Sequence, residues 1–310
     1  MVGPRIRRYA CVACLAIQVV ACRSETVPSR IAQRFALLNG LEHETKGLEE
    51  TTRAALIGMA YGGLFAADPS STQVSRVDDH DLELLYRAAD LASFYSTKDS
   101  YVRAMAAVVD ELQRRGLTSA GHYTHLYERY VEARMLADAK AVADKHPLPE
   151  HVKLPEIHDA TDLGEGQPTV LVVEPRTHTL LRRGVDLQQA AQVVIVSHPG
   201  CHFSQAAIGD ISADVVLSKG FSEHATWVAP QDSHLGDLDV ALFEQWDREH
   251  PGHEISVAFK REKWPMIDSW ETPTFYFLEK GVVRAKVQGW PKEGHRAELL
   301  AGLQKIGLAP

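Results

Sequence analysis

Between residues 79 and 146 apolar positions recur every three or four residues, the spacing that keeps one face of an α-helix dry. In DDHDLELLYRAADLASFYS the stripe is Leu82, Leu85, Ala89 and Ala92; in the next segment it is Val102, Met105, Val109 and Leu112, followed by Arg114-Arg115-Gly116, a cationic last turn with a glycine stop. The two segments predict a hairpin. A second pair follows, with Tyr123, Leu126, Tyr127 and Tyr130 on one helix, Ala139 and Ala143 on the other, and Pro147 closing it. Small residues facing large ones suit antiparallel packing, and the tyrosines are expected to be core rather than ligand groove. Upstream, TTRAALIGMAYGGLFAADPSS predicts a buried helix broken at Gly62-Gly63 and then a loop.

From residue 169 the period shortens. TVLVVEP and TLLRRGVDL predict a hairpin, QVVIVS a buried strand, and ATWVAP and EISVAF two more strands separated by the helical DLDVALFEQWDREHP. TPTFYFL and VVRAKVQGW predict a hairpin across Glu279-Lys280-Gly281, and HRAELLAGLQKIG a closing helix. Strands alternating with helices imply an α/β layer structure. Between the two regions lies HPLPEHVKLPEIHDATDLGEGQP, rich in Pro, His and acid and without periodicity, which predicts an extended linker over 147–168. The expected organisation is therefore a signal segment over 1–21, a helical-hairpin domain over 22–146, the linker, and an α/β domain over 169–310.

Cysteine placement sharpens this picture. Of four cysteines in 310 residues, Cys11, Cys14 and Cys22 fall in the first 22 positions and only Cys201 lies in the body of the chain. A disulfide framework in the processed protein is excluded. Arg5, Arg7 and Arg8 precede ACVACLAIQVVA, a basic region and a short apolar run in the pattern of an export signal. The run ends in Val19-Val20-Ala21-Cys22, which resembles the lipobox of bacterial lipoproteins; the resemblance implies lipidation of Cys22 and, with Arg23 rather than Asp following, an outer-membrane anchor facing the periplasm. A net charge of −8 argues against nucleic acid as a partner.

The helical pairs are similar to tetratricopeptide-type repeats, although their lengths differ. In the second half, SHPGCHFS sets Cys201 after an apolar strand and at a helix start; a strand, a helix and a strand come next, then Thr272-Pro273-Thr274 entering a strand, a glycine turn, and Gly289-Trp290. That order resembles the thioredoxin superfamily, and the extra strand and helix before the Thr-Pro step resemble its membrane-anchored redoxin branch. The implied fold is an α/β thioredoxin-like domain preceded by an all-α helical-hairpin domain. The resemblance further implies a cis Pro273 against the sulfur of Cys201, and pairing of the Thr272 backbone with an extended substrate. Two departures stand out. Ser204 occupies the place of the family's second cysteine, and Ile195 that of the buried acid which serves it.

A thiol at a helix N-terminus meets unpaired N–H groups and the positive end of the helix dipole, which favour thiolate. His202 and His198 are candidates to add to this, or else solvated loop residues. Ser204 can donate a hydrogen bond to the sulfur but cannot expel a bound disulfide partner. The expected site is thus Cys201, Ser204 and His202 for chemistry, with Thr272 and Pro273 for substrate and no cofactor. Two functional classes follow: monothiol thiol–disulfide exchange or isomerisation on cell-envelope clients, released by an outside thiol or a partner reductase, and a non-catalytic adaptor that binds client peptides. A third reading, copper binding by Cys201, His198 and His202, needs three ligands to converge within one short loop. Cys22→Ser is expected to abolish fatty-acid labelling and processing; equal labelling of wild type and variant would refute the anchor.

Overall fold

The computed structural model describes residues 27–65, 74–161, 167–174, 176–177, 179–231 and 237–309. The signal segment and Cys22 lie outside them. Helices α1 (Arg30–Glu44), α2 (Glu50–Phe65), α3 (Asp79–Ser96), α4 (Asp99–Arg114), α5 (Ala120–Glu132) and α6 (Leu136–Lys145) form the N-terminal layer. The predicted stripes face inward: Leu82, Ala89, Ala92, Val102, Met105, Val109, Leu112, Leu126, Tyr127 and Tyr130 share one buried cluster. Asp78 caps α3 by accepting from the Asp81 N–H at 2.8 Å, and Gly116, at φ 71, ends the chain's turn out of α4.

Helix α2 differs from expectation. It runs through Gly62-Gly63 without a break and is half-buried, with Met59 67% exposed. Tertiary contact on this helix outweighs the glycines' poor helix propensity: the Tyr101 ring packs on α2 beside Gly58 and Gly62 and donates its hydroxyl to the Gly58 carbonyl at 2.8 Å.

The C-terminal layer is an eight-stranded sheet built from β1 (Ile157–Asp159), β2 (Thr169–Glu174), β3 (Thr179–Gly184), β4 (Gln192–Val196), β5 (Ala225–Ala229), β6 (Ile255–Ala258), β7 (Thr274–Glu279) and β8 (Val282–Gln288), in the order β1-β3-β2-β6-β5-β4-β7-β8. Strand β4 is parallel to β5 and antiparallel to β7. Helices α7 (His202–Ala213), α8 (Val215–His224), α9 (Asp237–Glu249) and α10 (Arg296–Lys305) complete the unit. Their apolar residues meet Val193, Ile195, Phe275 and Phe277 on one face of the sheet. Gly302 is obligatory in α10, because a Cβ there would stand 2.5 Å from the Phe277 ring. The opposite face, with Val194, Val196 and Tyr276, is roofed not by a helix but by the segment carrying Trp264, Ile267 and Trp270. The elements that frame Cys201 and Thr272–Pro273 follow the expected order with one correction, since α8 stands between α7 and β5 where a strand alone was expected; the mixed sheet and its helices fit an α/β thioredoxin-like fold.

The segment expected as a linker carries structure of its own. Ile157–Asp159 adds an edge strand parallel to β3, and the Leu154 N–H donates to the Tyr127 hydroxyl at 2.6 Å. A strand this short, with one apolar residue, leaves no periodicity to read.

Two side chains, Arg134 and Gln231, form the joint between the layers. Arg134, between α5 and α6, is buried with φ 59 and donates to the carbonyls of Val131 (2.8 Å), Gln231 (2.7 Å), Phe259 (3.0 Å) and Ala258 (3.2 Å). Gln231 returns the bond, its Nε2 donating to the Glu132 carbonyl at 2.7 Å. Arg134→Met keeps the aliphatic stem but removes the donors, leaving buried carbonyls without them, and is expected to lower stability by about 3 kcal/mol in urea denaturation. A loss under about 1 kcal/mol would show that the joint does not depend on these bonds.

Candidate functional site

Strand β4 ends at Val196, which pairs with Thr274 of β7. That register brings the turn 197–201, running from β4 into α7, opposite the residues that enter β7. Cys201 is the N-cap residue of α7 and is half-buried, and the peptide between Thr272 and Pro273 is cis. The thiol donates to the Thr272 carbonyl at 3.4 Å. The structure therefore brings Cys201, Thr272 and Pro273 together from positions some seventy residues apart in sequence.

Ser204, one turn into α7, is fully buried, and its hydroxyl oxygen accepts from the His198 N–H at 3.5 Å. Burial resists ionisation of the Cys201 thiol, but hydrogen bonding by the Thr272 hydroxyl, by the Ser204 and Phe203 backbone N–H groups and by the Ser204 hydroxyl outweighs it, so the thiol is held below the ordinary cysteine range. The N2 and N3 amides of a helix ordinarily seek an N-cap acceptor, and a thiolate at residue 201 supplies one. The Thr272 carbonyl acts in the other direction, since it accepts from the thiol and has nothing to offer the anion.

The histidines take other places. The His202 side chain is exposed and its ring lies on Phe203, with centroids 3.8 Å apart. His198 Nδ1 accepts from the Gly200 N–H at 3.0 Å, which fixes the turn, and its ring meets Phe243 edge-on at 5.6 Å. Neither is among the groups that act most on the thiol. Among the described residues no three His, Cys, Asp or Glu side chains converge as a metal site, so the copper reading loses its geometric basis.

Beside the sulfur lies an open groove of about 640 Å³, lined by Phe203, Thr272, Pro273, Trp290 and Pro291, with Glu271 and His295 at its polar margin. Phe203 is 46% exposed there, although it is a large apolar side chain. Trp290 is held by its indole N–H donating to Asp210 at 3.0 Å, and Gln288 is hydrogen-bonded to Glu271. Phe203 and the Trp290 wall were not expected as site residues. An aromatic beside a cysteine carries no signal of exposure, and Trp290 reads as the end of a strand.

No family model matches the chain, and no curated protein matches it. A crystal structure of a thioredoxin-like protein from Bacteroides caccae is similar over 91% of this chain and 95% of its own, at 12% identity and a TM-score of 0.26. A likeness that low decides nothing about site or chemistry, which rest on the geometry above.

Because the net effect on Cys201 favours the anion, iodoacetamide alkylation should reach half its maximal rate below the free-cysteine value of roughly 8.5 and rise with pH through that point. Ser204→Ala and Thr272→Ala should each move the inflection upward, and His202→Ala should leave it in place. An inflection at or above the free value in the wild type would contradict the assignment.

Proposed function

We propose that this chain is a thioredoxin-like protein that performs monothiol thiol–disulfide exchange or isomerisation through Cys201 on protein substrates of the bacterial cell envelope, held at the membrane by lipid on Cys22. The observation that carries the reading is the apposition of a half-buried thiol to the Thr272 carbonyl at the cis Thr272–Pro273 peptide, at the edge of an apolar groove. Among the described residues no helix is long and apolar enough to cross a membrane, so any attachment within them would have to be of another kind.

The chemistry is short. The Cys201 thiolate attacks one sulfur of a substrate disulfide; a new S–S bond forms, the old one breaks, and the departing sulfur leaves as a thiolate. The substrate is thereby joined to Cys201. In a two-cysteine site a second thiolate would then attack Cys201, but Ser204 has only a hydroxyl, which is not nucleophilic enough near neutral pH. Release requires either another thiolate of the substrate, which attacks the substrate sulfur of the mixed disulfide, forms a different substrate disulfide and frees Cys201, so that the outcome is isomerisation, or a thiol from outside, which takes Cys201 into a disulfide with itself and frees the substrate as a dithiol, so that the outcome is reduction. Thr272 and Pro273 orient the extended substrate and Phe203 and Trp290 bury an apolar side chain next to its disulfide.

The adaptor reading draws on one observation of its own. Ser204 is fully buried and hydrogen-bonded to the turn, so the missing second thiol is replaced by a residue that fits the structure. A binding surface needs no turnover, and the groove would serve it equally.

Acid quenching and thiol blocking of cells should separate the two. Wild type is expected to carry reductant-sensitive adducts, Cys201→Ser none, and Ser204→Cys shorter-lived ones, since it restores an internal thiol one turn away. Wild type without adducts, despite a reactive thiol, would favour the adaptor.

A further inference from the structure

The N-terminal layer carries a cleft of its own, independent of what Cys201 does. A cleft of about 480 Å³ opens between α4, α5 and α6. Tyr130 lines it with only 8% of its surface exposed, and its hydroxyl makes no hydrogen bond to any described residue. The hydroxyl itself is reached from the cleft, so it is a donor and acceptor open to an incoming polar group. Two carboxylates, Asp110 from α4 and Asp138 from α6, line the same cleft, and neither has an ion-pair partner among the described residues. Burial, with Asp138 and then Asp110 adding to it, pushes the Tyr130 hydroxyl up to about 12, and Arg103 works against them with a smaller effect. The hydroxyl therefore stays protonated at neutral pH and sits in a negative field.

The remaining walls limit what fits. Val109 and Val142 give an apolar flank for an aliphatic stem. Tyr123 and His146 stack face to face, with centroids 3.5 Å apart and planes 11° off parallel, so they present a flat aromatic plate at the cleft. Lys145 is the one cation among the lining residues, against the two carboxylates.

We infer that this cleft is a recognition site for an arginine side chain presented by a partner polypeptide. A guanidinium offers several donors in a plane, enough to serve both carboxylates and the lone pair of the Tyr130 oxygen at once, and it stacks on aromatic planes, whereas an ammonium is a compact point charge without that shape. The volume exceeds that of one side chain, which leaves room for the flanking backbone of the segment that carries it.

The test titrates the full chain with the capped pentapeptide Ala-Ala-Arg-Ala-Ala, followed by methyl NMR of Ala106, Val109 and Val142. Saturable shifts are expected, with lysine in place of arginine binding more weakly and citrulline, which keeps the shape but not the charge, giving none. Asp110→Asn combined with Asp138→Asn should weaken the arginine peptide by about tenfold, the loss expected when a charge-assisted bond becomes a neutral one. Tyr130→Phe keeps the ring and so serves as a second variant, and it too should weaken binding with an unchanged far-ultraviolet spectrum. Three results would overturn the proposal: citrulline binding as well as arginine, binding unchanged in the double variant, or no shift with any peptide. Capped single arginine binding as tightly as the pentapeptide would overturn the polypeptide source and leave a small-molecule site.

Discussion

The antiparallel register of β4 on β7 is the constraint from which most of the sheet domain follows. All of β4 is buried, and because side chains alternate along a strand, Val193 and Ile195 enter the core under the helices while Val194 and Val196 enter the core under the tryptophans. A slip of one residue would exchange these sets between two differently shaped cores, so both cores specify the pairing of Val196 with Thr274. The site inherits that precision. Cys201 leaves one end of the pair and Thr272–Pro273 enters at the same end, so the distance from sulfur to carbonyl is fixed by packing far from either.

Arg134 plays the corresponding part between layers. A non-glycine residue in left-handed geometry carries an intrinsic cost of roughly 1–2 kcal/mol. Here that conformation turns the chain between α5 and α6 and aims the guanidinium at carbonyls that follow β5 and β6. The carbonyls at these sheet edges need donors, and a guanidinium has enough for several. Gln231 lies just beyond β5, and β5 adjoins β4, whose Ser197 N–H donates to the Val228 carbonyl at 2.9 Å. The helical layer is therefore tied to the end of the sheet from which Cys201 emerges.

What the sequence made legible was whatever depends on periodicity. The α3/α4 and α5/α6 pairs, the β2/β3 and β7/β8 hairpins and the buried β4 all declare themselves through spacing. The rest depends on contacts between distant residues. Gly62-Gly63 reads as a break until Tyr101 is known to pack on α2; Ile157–Asp159 reads as linker until β3 is beside it; Arg134, between two helices, gives no local sign of the carbonyls it meets. The tryptophan roof was hidden for another reason, since Trp264, Ile267 and Trp270 recur at a helical spacing of three while the segment that carries them forms no helix. At the site, Cys201 and Pro273 were legible through the thioredoxin resemblance, while the roles of His198 and His202 turned on ring placements that local sequence does not encode.

The chemistry at residue 201 comes down to which proton state its neighbours prefer, and they are divided. As a thiol the group has one good partner, the Thr272 carbonyl. As a thiolate it loses that partner and gains the helix-start N–H groups and two hydroxyls, a larger number of donors. An incoming substrate strand that pairs with the Thr272 backbone would compete for the same carbonyl. Substrate binding would then remove the one contact that favours the thiol while leaving the donors in place, so ionisation would be coupled to occupancy of the groove. A mixed disulfide has no proton to give and likewise leaves the carbonyl to the substrate strand. Under the proposed exchange the covalent complex would thus be compatible with the same backbone pairing that precedes it, and with Ser204 in place of a second thiol nothing inside the site would press it to decay.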